Sequence, residues 1–192
     1  MWNKRYAQKE YVYGTLPNEF YQKELSKLKP GKILFPGEGE GRNAVFAALK
    51  GWEVVAFDSS SEAKKKAERL AAKTNVKIDY SVSTIEEFDE KENSFDAIVL
   101  IFVHPQNREL CHEKLIRYLK PGGKIILEGF TKKQLPNNSG GPKNQAMLFS
   151  KEELMADFKD LKDLKVTQSE IILNEGDLHQ GKATVIRLTG TK

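Results

Sequence analysis

Short apolar runs alternate with segments of helical periodicity along the first two thirds of the chain. The apolar runs predict β-strands at 33–35, 53–57, 76–82, 95–102 and 124–130. Between them, apolar residues recur three or four positions apart and predict helices at 43–50 and at about 106–119. A further helix is predicted to end at about Lys73, and it begins at a capping box formed by Ser59 and Glu62. This alternation predicts a doubly wound α/β domain.

The last third of the chain has a different pattern of apolar and polar residues. Residues 131–145 are too rich in glycine, proline and polar residues for regular structure, and a helix capped at Ser150 follows, ending near Leu161. Two further apolar runs, at 164–173 and 182–188, predict strands whose link is too short for a parallel crossover. They therefore predict an antiparallel hairpin at the edge of a sheet that is otherwise mostly parallel.

Composition narrows the class of protein. A chain of 192 residues with 39% hydrophobic residues predicts one domain, which we divide into an N-terminal helical cover (1–30), a core (31–131) and a final loop, helix and hairpin (132–192). The formal net charge is +4, but the basic residues are spread out, and the run from Lys64 to Lys66 is interpreted as a solvated helix face. Nucleic acid is therefore not expected as a partner.

Cys111 is the only cysteine, which excludes an intramolecular disulfide and indicates a reducing compartment. The chain shows no apolar run of membrane-spanning or signal-peptide length, so we expect a cytoplasmic protein without a membrane partner. We expect no bound metal, and the oligomeric state is left open.

Three glycines at alternate positions follow the first predicted strand: Gly37, Gly39 and Gly41, with a helix pattern directly after them. Glycine accepts positive φ and lets a ligand approach the backbone, and the first turn of the helix offers unpaired N–H groups. The pattern predicts a nucleotide-type cradle, although a purely structural turn is the alternative.

Ligands of open parallel sheets lie at the carboxyl ends of the strands. Asp58 ends the second predicted strand, where a carboxylate can accept hydrogen bonds from both ribose hydroxyls of a nucleoside. A helix cap before Ser61 is the competing interpretation of Asp58. The residues after the third and fourth strands are Ser83, Thr84, Ile85, Phe102, Val103 and His104.

The chain resembles the class I methyltransferases that use S-adenosylmethionine. The resemblance rests on Gly37-Glu38-Gly39-Glu40-Gly41, on Asp58, on the run starting at Phe95, and above all on Leu119-Lys120-Pro121-Gly122-Gly123. Flanking motifs such as Gly41-Arg42-Asn43, Gly140-Gly141-Pro142 and His179-Gln180-Gly181 are similar to the small tellurite-resistance-type methyltransferases. The resemblance implies a seven-stranded sheet, S-adenosylmethionine as cofactor with S-adenosylhomocysteine as product, and a small, soft acceptor such as a thiol, selenium or tellurium compound.

The resemblance implies a set of cofactor-binding residues: Gly37, Glu38, Gly39, Gly41, Arg42, Asp58, Ser59, Ser83, Thr84, Ile85 and Phe102. Two positions depart from the family pattern, because Phe35 and Ser83 stand where acidic residues are usual. Glu38 is our hypothesis for a replacement carboxylate that faces the ammonium group of the cofactor.

The predicted reaction is an in-line displacement in which the protein mainly aligns donor and acceptor and excludes water. His104, His179 and Tyr11 are the candidate acceptor-site residues. Tyr11 and Tyr13, with Trp2 and Tyr6, predict an aromatic cover over a cationic sulfur, or alternatively an aromatic helix that only packs on the core. Arg5 and Arg42 are candidates for an anionic substrate or for plain surface positions.

Two other classes of protein compete with this assignment. A dinucleotide-dependent oxidoreductase is disfavoured because the glycine spacing differs from Gly-x-Gly-x-x-Gly and Glu40 would crowd a pyrophosphate. A non-catalytic ligand-binding or interaction protein on the same fold is supported by the departures at Phe35, Glu38 and Ser83.

Overall fold

Seven strands form one sheet in the computed structural model, which describes residues 2–192. The strands are β1 (Lys32–Pro36), β2 (Glu53–Asp58), β3 (Asp79–Val82), β4 (Phe95–Ile101), β5 (Leu119–Phe130), β6 (Lys162–Glu175) and β7 (His179–Thr191). Their order is β3-β2-β1-β4-β5-β7-β6, with β1 to β5 mutually parallel and β7 antiparallel to both of its neighbours. The predicted mostly parallel sheet with an antiparallel C-terminal hairpin is confirmed.

Among the described residues, six helices surround the sheet: α1 (Trp2–Tyr6), α2 (Glu19–Leu25), α3 (Arg42–Leu49), α4 (Ser61–Lys73), α5 (Arg108–Tyr118) and α6 (Lys151–Asp157). Short 3-10 turns at Lys132–Gln134 and Gln145–Met147 interrupt the long predicted loop. Within residues 2–192, the helices lack the combined length and apolar character needed to cross a bilayer.

Helix ends follow local capping chemistry. The capping residue of α4 is Ser60, whose hydroxyl accepts from the Ala63 N–H at 3.2 Å, so the prediction of Ser59 was wrong by one position. The N-cap of α6 is the predicted Ser150, which forms a capping box with Glu153.

Several strand boundaries differ from the prediction, and β5 begins at Leu119 instead of position 124. The strand β3 begins only at Asp79, because Val76 and Ile78 pack beside Val45, Leu70 and Ala71 under helix α4 instead. The hairpin strands are longer than predicted, and the pair Glu175↔His179 closes the hairpin around residues 176–178. His179 was predicted in the hairpin loop, but it is the first residue of β7.

The core lies on both faces of the sheet. One cluster joins strand residues such as Phe57 and Ile98 to Leu115 of α5 and to Phe158, which follows α6 directly. On the other face, Phe35 packs with α2 and α3 and meets the ring of Tyr21 edge-on, with ring centroids 5.7 Å apart. Phe35 therefore fills core volume at the position where the family usually carries an acid.

Candidate active site

The loop between β1 and α3 needs its glycines. Gly37, Gly39 and Gly41 have φ of 61°, 67° and 90°, in the left-handed region that favours glycine. A Cβ on Gly41 would lie 2.6 Å from the Cβ of Ala67, so glycine is what allows α3 and α4 to pack this closely. The loop therefore presents bare backbone at the carboxyl end of β1.

Asp58 and Tyr80 hold the middle of this loop. The Gly39 N–H donates to Asp58 Oδ2 (3.1 Å), and the Tyr80 hydroxyl donates to the Gly39 carbonyl (2.6 Å). Asp58 Oδ1 also accepts from the Ser60 N–H (2.9 Å) at the start of α4. Burial raises the pKa of Asp58, and these N–H donors oppose the shift. Sequence reasoning found Asp58 but missed Tyr80, since an aromatic residue inside a strand carries no special signal.

Glu38 closes the N-terminus of α3. Its Oε1 accepts from the N–H groups of Asn43 (2.9 Å) and Ala44 (2.8 Å). A carboxylate thus occupies the helix end at which dinucleotide-binding proteins place a pyrophosphate. The arrangement disfavours an anion at this point and favours a cationic group.

Glu40 does not face that position, and the expectation that it would crowd a pyrophosphate was wrong. It is buried and pairs with Lys66 Nζ at 2.7 Å. Lys66 was predicted on a solvated face, but only Lys64 and Lys65 lie there, because position 66 borders the apolar stripe of Ala63 and Ala67.

The Glu40–Lys66 pair holds the segment before α2 against the rest of the domain through hydrogen bonds. Glu40 Oε2 accepts from the Tyr13 N–H (3.2 Å), and Lys66 Nζ donates to the Glu10 carbonyl (2.5 Å). The Tyr11 hydroxyl donates to the Lys66 carbonyl (3.1 Å), and its ring packs beside Val45 and Leu70. Tyr11 therefore lies against α3 and α4, whereas Tyr13 points to the carboxyl edge of the sheet.

The residues after β3 form a tight turn next to Asp58. The Ser83 N–H donates to the Asp58 carbonyl (3.0 Å), and the Ser83 hydroxyl donates to the Thr84 carbonyl (3.0 Å). Ile85 is buried in the core beside Phe57, and Ser59 is exposed. The assignment of Ser59, Ser83, Thr84 and Ile85 to the cofactor stays a prediction.

A row of aromatic rings crosses the carboxyl edge. The centroid distances along it are 5.7 Å for Trp2–Tyr6, 6.4 Å for Tyr6–Tyr13, 4.5 Å for Tyr13–His179, 4.7 Å for His179–Phe102 and 4.6 Å for Phe102–Phe130. Ser60 ties α1 to this edge, because its hydroxyl donates to Asn3 Oδ1 (2.6 Å). The structure thus brings three residues of the predicted cover together with His179.

Phe102 follows β4 directly and has an uncommon backbone conformation. Its φ is +56°, which is disfavoured for a residue with a bulky side chain. The Phe102 N–H donates to the Glu128 carbonyl (2.7 Å), and the Phe102 ring stacks on Phe130. Strained backbone that is held in place by its surroundings is typical of functional sites.

The two candidate histidines differ. His104 Nδ1 donates to the Met147 carbonyl (2.8 Å) and its Nε2 accepts from the Phe130 N–H (3.1 Å), so both ring nitrogens serve the backbone. Burial lowers the pKa of His104 to about 4. This arrangement indicates a structural role for His104, whereas His179 lies in the aromatic row at the carboxyl edge of the sheet.

The two candidate arginines also differ. Arg42 is buried and pairs with Glu175 Oε2 at 2.8 Å, while it donates to the Tyr13 carbonyl at 3.3 Å. Arg42 is therefore a structural tie between α3, the N-terminal segment and the hairpin. Arg5 is exposed and donates to the Tyr13 hydroxyl (3.2 Å).

A sheet in this strand order, with a glycine loop after β1 and a buried acid at the end of β2, defines the class I methyltransferase fold. Residues 33–123 match the family described as a methyltransferase domain. The chain therefore has the class I methyltransferase fold, and the methyl donor that the matching family implies is S-adenosylmethionine.

Individual proteins agree with this placement. A ubiquinone biosynthesis O-methyltransferase of Rickettsia akari is 36% identical over 120 residues, covering 62% of this chain and 46% of that protein. The chain thus spans just under half the length of this relative.

Solved structures match almost the whole fold. TehB from Haemophilus influenzae superposes with a TM-score of 0.74 at 18% identity, covering 100% of this chain and 65% of that chain. A SAM-dependent methyltransferase from Methanosarcina mazei gives 0.70 at 22% identity, covering 91% of this chain and 99% of that chain. The predicted resemblance to class I methyltransferases is confirmed.

Proposed function

We propose that this protein transfers a methyl group from S-adenosylmethionine to a small, soft acceptor such as a thiol, selenium or tellurium compound. The observation that carries the proposal is the carboxylate of Glu38 at the start of α3, beside a glycine loop held by Asp58. A cationic nucleoside with a ribose fits this pair of acids, whereas a pyrophosphate does not.

The cofactor supplies a methyl group that is already activated by its positive sulfur. Asp58 is the candidate for the ribose hydroxyls, and Glu38 for the ammonium group. The rings of Tyr6, Tyr13 and Phe102 exclude water and offer aromatic faces to a cation. The chain's own contribution is thus alignment, desolvation and charge complementarity.

Calorimetric titration of the full chain with S-adenosylmethionine, S-adenosylhomocysteine and NADH tests the cofactor. We expect binding of both sulfur ligands, its loss in Asp58→Ala, weaker binding in Glu38→Gln, and no binding of NADH. Binding of NADH instead would point to an oxidoreductase.

An acceptor screen then tests the reaction, with formation of S-adenosylhomocysteine as the readout. The arms are alkyl thiols, selenite, tellurite and a catechol, the last because a relative is named as an O-methyltransferase. We expect turnover with a thiol or chalcogen compound. Cofactor binding without turnover on any arm would favour the competing assignment, a non-catalytic binding protein.

A further inference from the structure

Within the described chain, one ring nitrogen of His179 is buried without a hydrogen-bond partner. The residue is only 5% exposed, and its ring lies among those of Tyr13, Phe102 and Phe130. Among residues 2–192, Nδ1 has no hydrogen-bond partner. Leaving a buried polar atom unpaired costs about 1–3 kcal/mol, so its place in a candidate active site calls for a functional explanation.

The carboxylate of Glu175 lies beside this nitrogen. Its Oε2 lies 3.5 Å from His179 Nδ1, which is long for a hydrogen bond but closes with a small side-chain shift. Arg42 holds the same oxygen at 2.8 Å, and Asn18 Nδ2 donates to the other oxygen at 3.0 Å. Burial opposes ionisation of Glu175, but His179 and Arg42 outweigh it and lower its pKa to about 2. A fixed carboxylate therefore faces Nδ1.

The opposite nitrogen of the ring borders a glycine. A Cβ on Gly140 would lie 2.9 Å from His179 Nε2, and Gly140 has a φ of +123°. Any larger residue would fill the space beside Nε2, so the glycine keeps a side chain away from that nitrogen.

We propose that Glu175 is a positioning residue that holds His179 in the Nδ1–H tautomer, so that Nε2 accepts the proton of a neutral thiol acceptor. This inference rests on the proposed function. The thiol proton moves to Nε2 as the thiol sulfur bonds to the methyl carbon, and the electron pair of the old carbon–sulfur bond stays on the departing thioether. The imidazolium that forms is stabilised by the Glu175 carboxylate.

The groups around His179 support a neutral ring that can take up a proton. Burial lowers the pKa of His179, and Glu175 on β6 opposes that shift. Arg42 on α3 and Arg5 on α1 lower the pKa of His179 further. The ring of Tyr13 contacts the His179 ring, and His104 is a second titratable imidazole nearby. Removal of the Glu175 carboxylate would therefore destabilise the cationic form of His179.

Nitrogen NMR of the labelled full chain tests the positioning role without any assay of activity. The chain has three histidines, so single variants of His104 and His179 assign the signals. We expect the Nδ1–H tautomer for His179 in the wild type, and in Glu175→Gln a lower His179 pKa with a mixed tautomer.

Arg42→Gln separates this role from loosening of the fold. Removal of that positive charge raises the pKa of His179, whereas removal of the Glu175 charge lowers it. Glu170→Gln on the same strand is the matched control, because its pair with Lys182 is exposed. A rise of the His179 pKa toward its ordinary value in Glu175→Gln would mean simple loosening and would overturn the proposal.

Kinetics with two thiols tests the proton transfer. We expect Glu175→Gln to lower turnover about 10- to 100-fold with a neutral alkyl thiol, with little change in the thiol KM. An acidic aryl thiol that is already ionised at neutral pH needs no base, so its turnover should barely change, and Glu175→Asp should restore part of the alkyl thiol rate. Equal losses with both thiols would overturn the base role. Lack of turnover in the wild type with every acceptor would count against the proposed function, and the NMR result would still decide the pairing of Glu175 with His179.

Discussion

Tyr6 lies directly over Gly39, and its hydroxyl oxygen is 2.8 Å from the position that a Cβ on Gly39 would occupy. Tyr6 is buried, although it belongs to a helix of only five residues. The N-terminal helix α1 thus packs on the same loop that we assign to the cofactor. The conformation of this loop and the position of α1 are therefore coupled.

Gly39→Ala should therefore disturb both folding and binding. The new methyl group strains a positive φ and displaces Tyr6, so we expect a loss of about 1–3 kcal/mol in unfolding free energy. We also expect at least tenfold weaker S-adenosylmethionine binding by calorimetry. Gly51→Ala is the control: its φ is +85°, but within the described chain a Cβ there would meet no atom within 4 Å. Equal binding by both variants would show that Tyr6 does not matter to the cofactor.

Lys66→Met should be strongly destabilising, because it leaves the buried Glu40 carboxylate without its partner. We expect a loss of about 3–5 kcal/mol in unfolding free energy, measured by urea denaturation. The exposed Lys65 pairs with Glu62 at 2.7 Å, and Lys65→Met should cost less than about 1 kcal/mol. The double variant Glu40→Gln/Lys66→Met should regain much of the lost stability. Similar losses for Lys65→Met and Lys66→Met would contradict the buried pair.

Glu38 should make the unliganded protein less stable as pH rises. Burial raises its pKa to about 7, with the Ala44 and Asn43 N–H groups and Arg42 opposing the shift and Asp58 adding to it. The folded state then binds more protons than the unfolded state between about pH 4.5 and 7, so this contribution to stability is lost across that window. Glu38→Gln keeps an acceptor oxygen and should be more stable than the wild type at pH 8 by roughly 1–2 kcal/mol.

Proton release provides a second check on Glu38. A cation bound beside this carboxylate favours its ionised form, so binding of S-adenosylmethionine at neutral pH should release protons into the buffer. Titrations in buffers with different ionisation enthalpies measure that release. The same release from Glu38→Gln would place its origin elsewhere.

His104 should give the opposite pH dependence. Its pKa is lowered to about 4 from an ordinary value near 6.5, so the unfolded state binds the extra proton between these values. The stability that this group contributes is complete above pH 6.5 and is lost as the pH falls toward 4. His104→Phe removes this titration. The stability lost between pH 7 and pH 4, measured by urea denaturation, should therefore be smaller than in the wild type by roughly 2–3 kcal/mol. An unchanged slope would show that His104 is not the group responsible.

Much of the fold follows from patterns that sequence displays directly. The aliphatic run in β4 and the short link in the hairpin required a parallel centre and an antiparallel edge, and both are present. Boundaries were less accurate where packing decides: residues 76–78 have strand-like side chains, yet they pack under α4.

The partners of charged side chains were the least predictable feature. Glu38 and Glu40 are two positions apart in one loop, but one caps α3 and the other pairs with Lys66. Glu175 carried no motif in the sequence and became relevant only because β6 places it beside Arg42 and His179. Such pairings depend on how distant elements dock, which periodicity and spacing do not encode.

The contact between the hairpin tip and the N-terminal segment has a consequence for folding. The Asp177 N–H donates to the Val12 carbonyl (3.0 Å), and Gly176 presses against residues 12–14. The entire parallel sheet lies between these two contact points along the chain, so this contact is long-range, and long-range contacts slow folding. The glycine loop and Asp58 depend on shorter-range contacts and can form first. We therefore expect the hairpin tip to join the N-terminal segment late in folding.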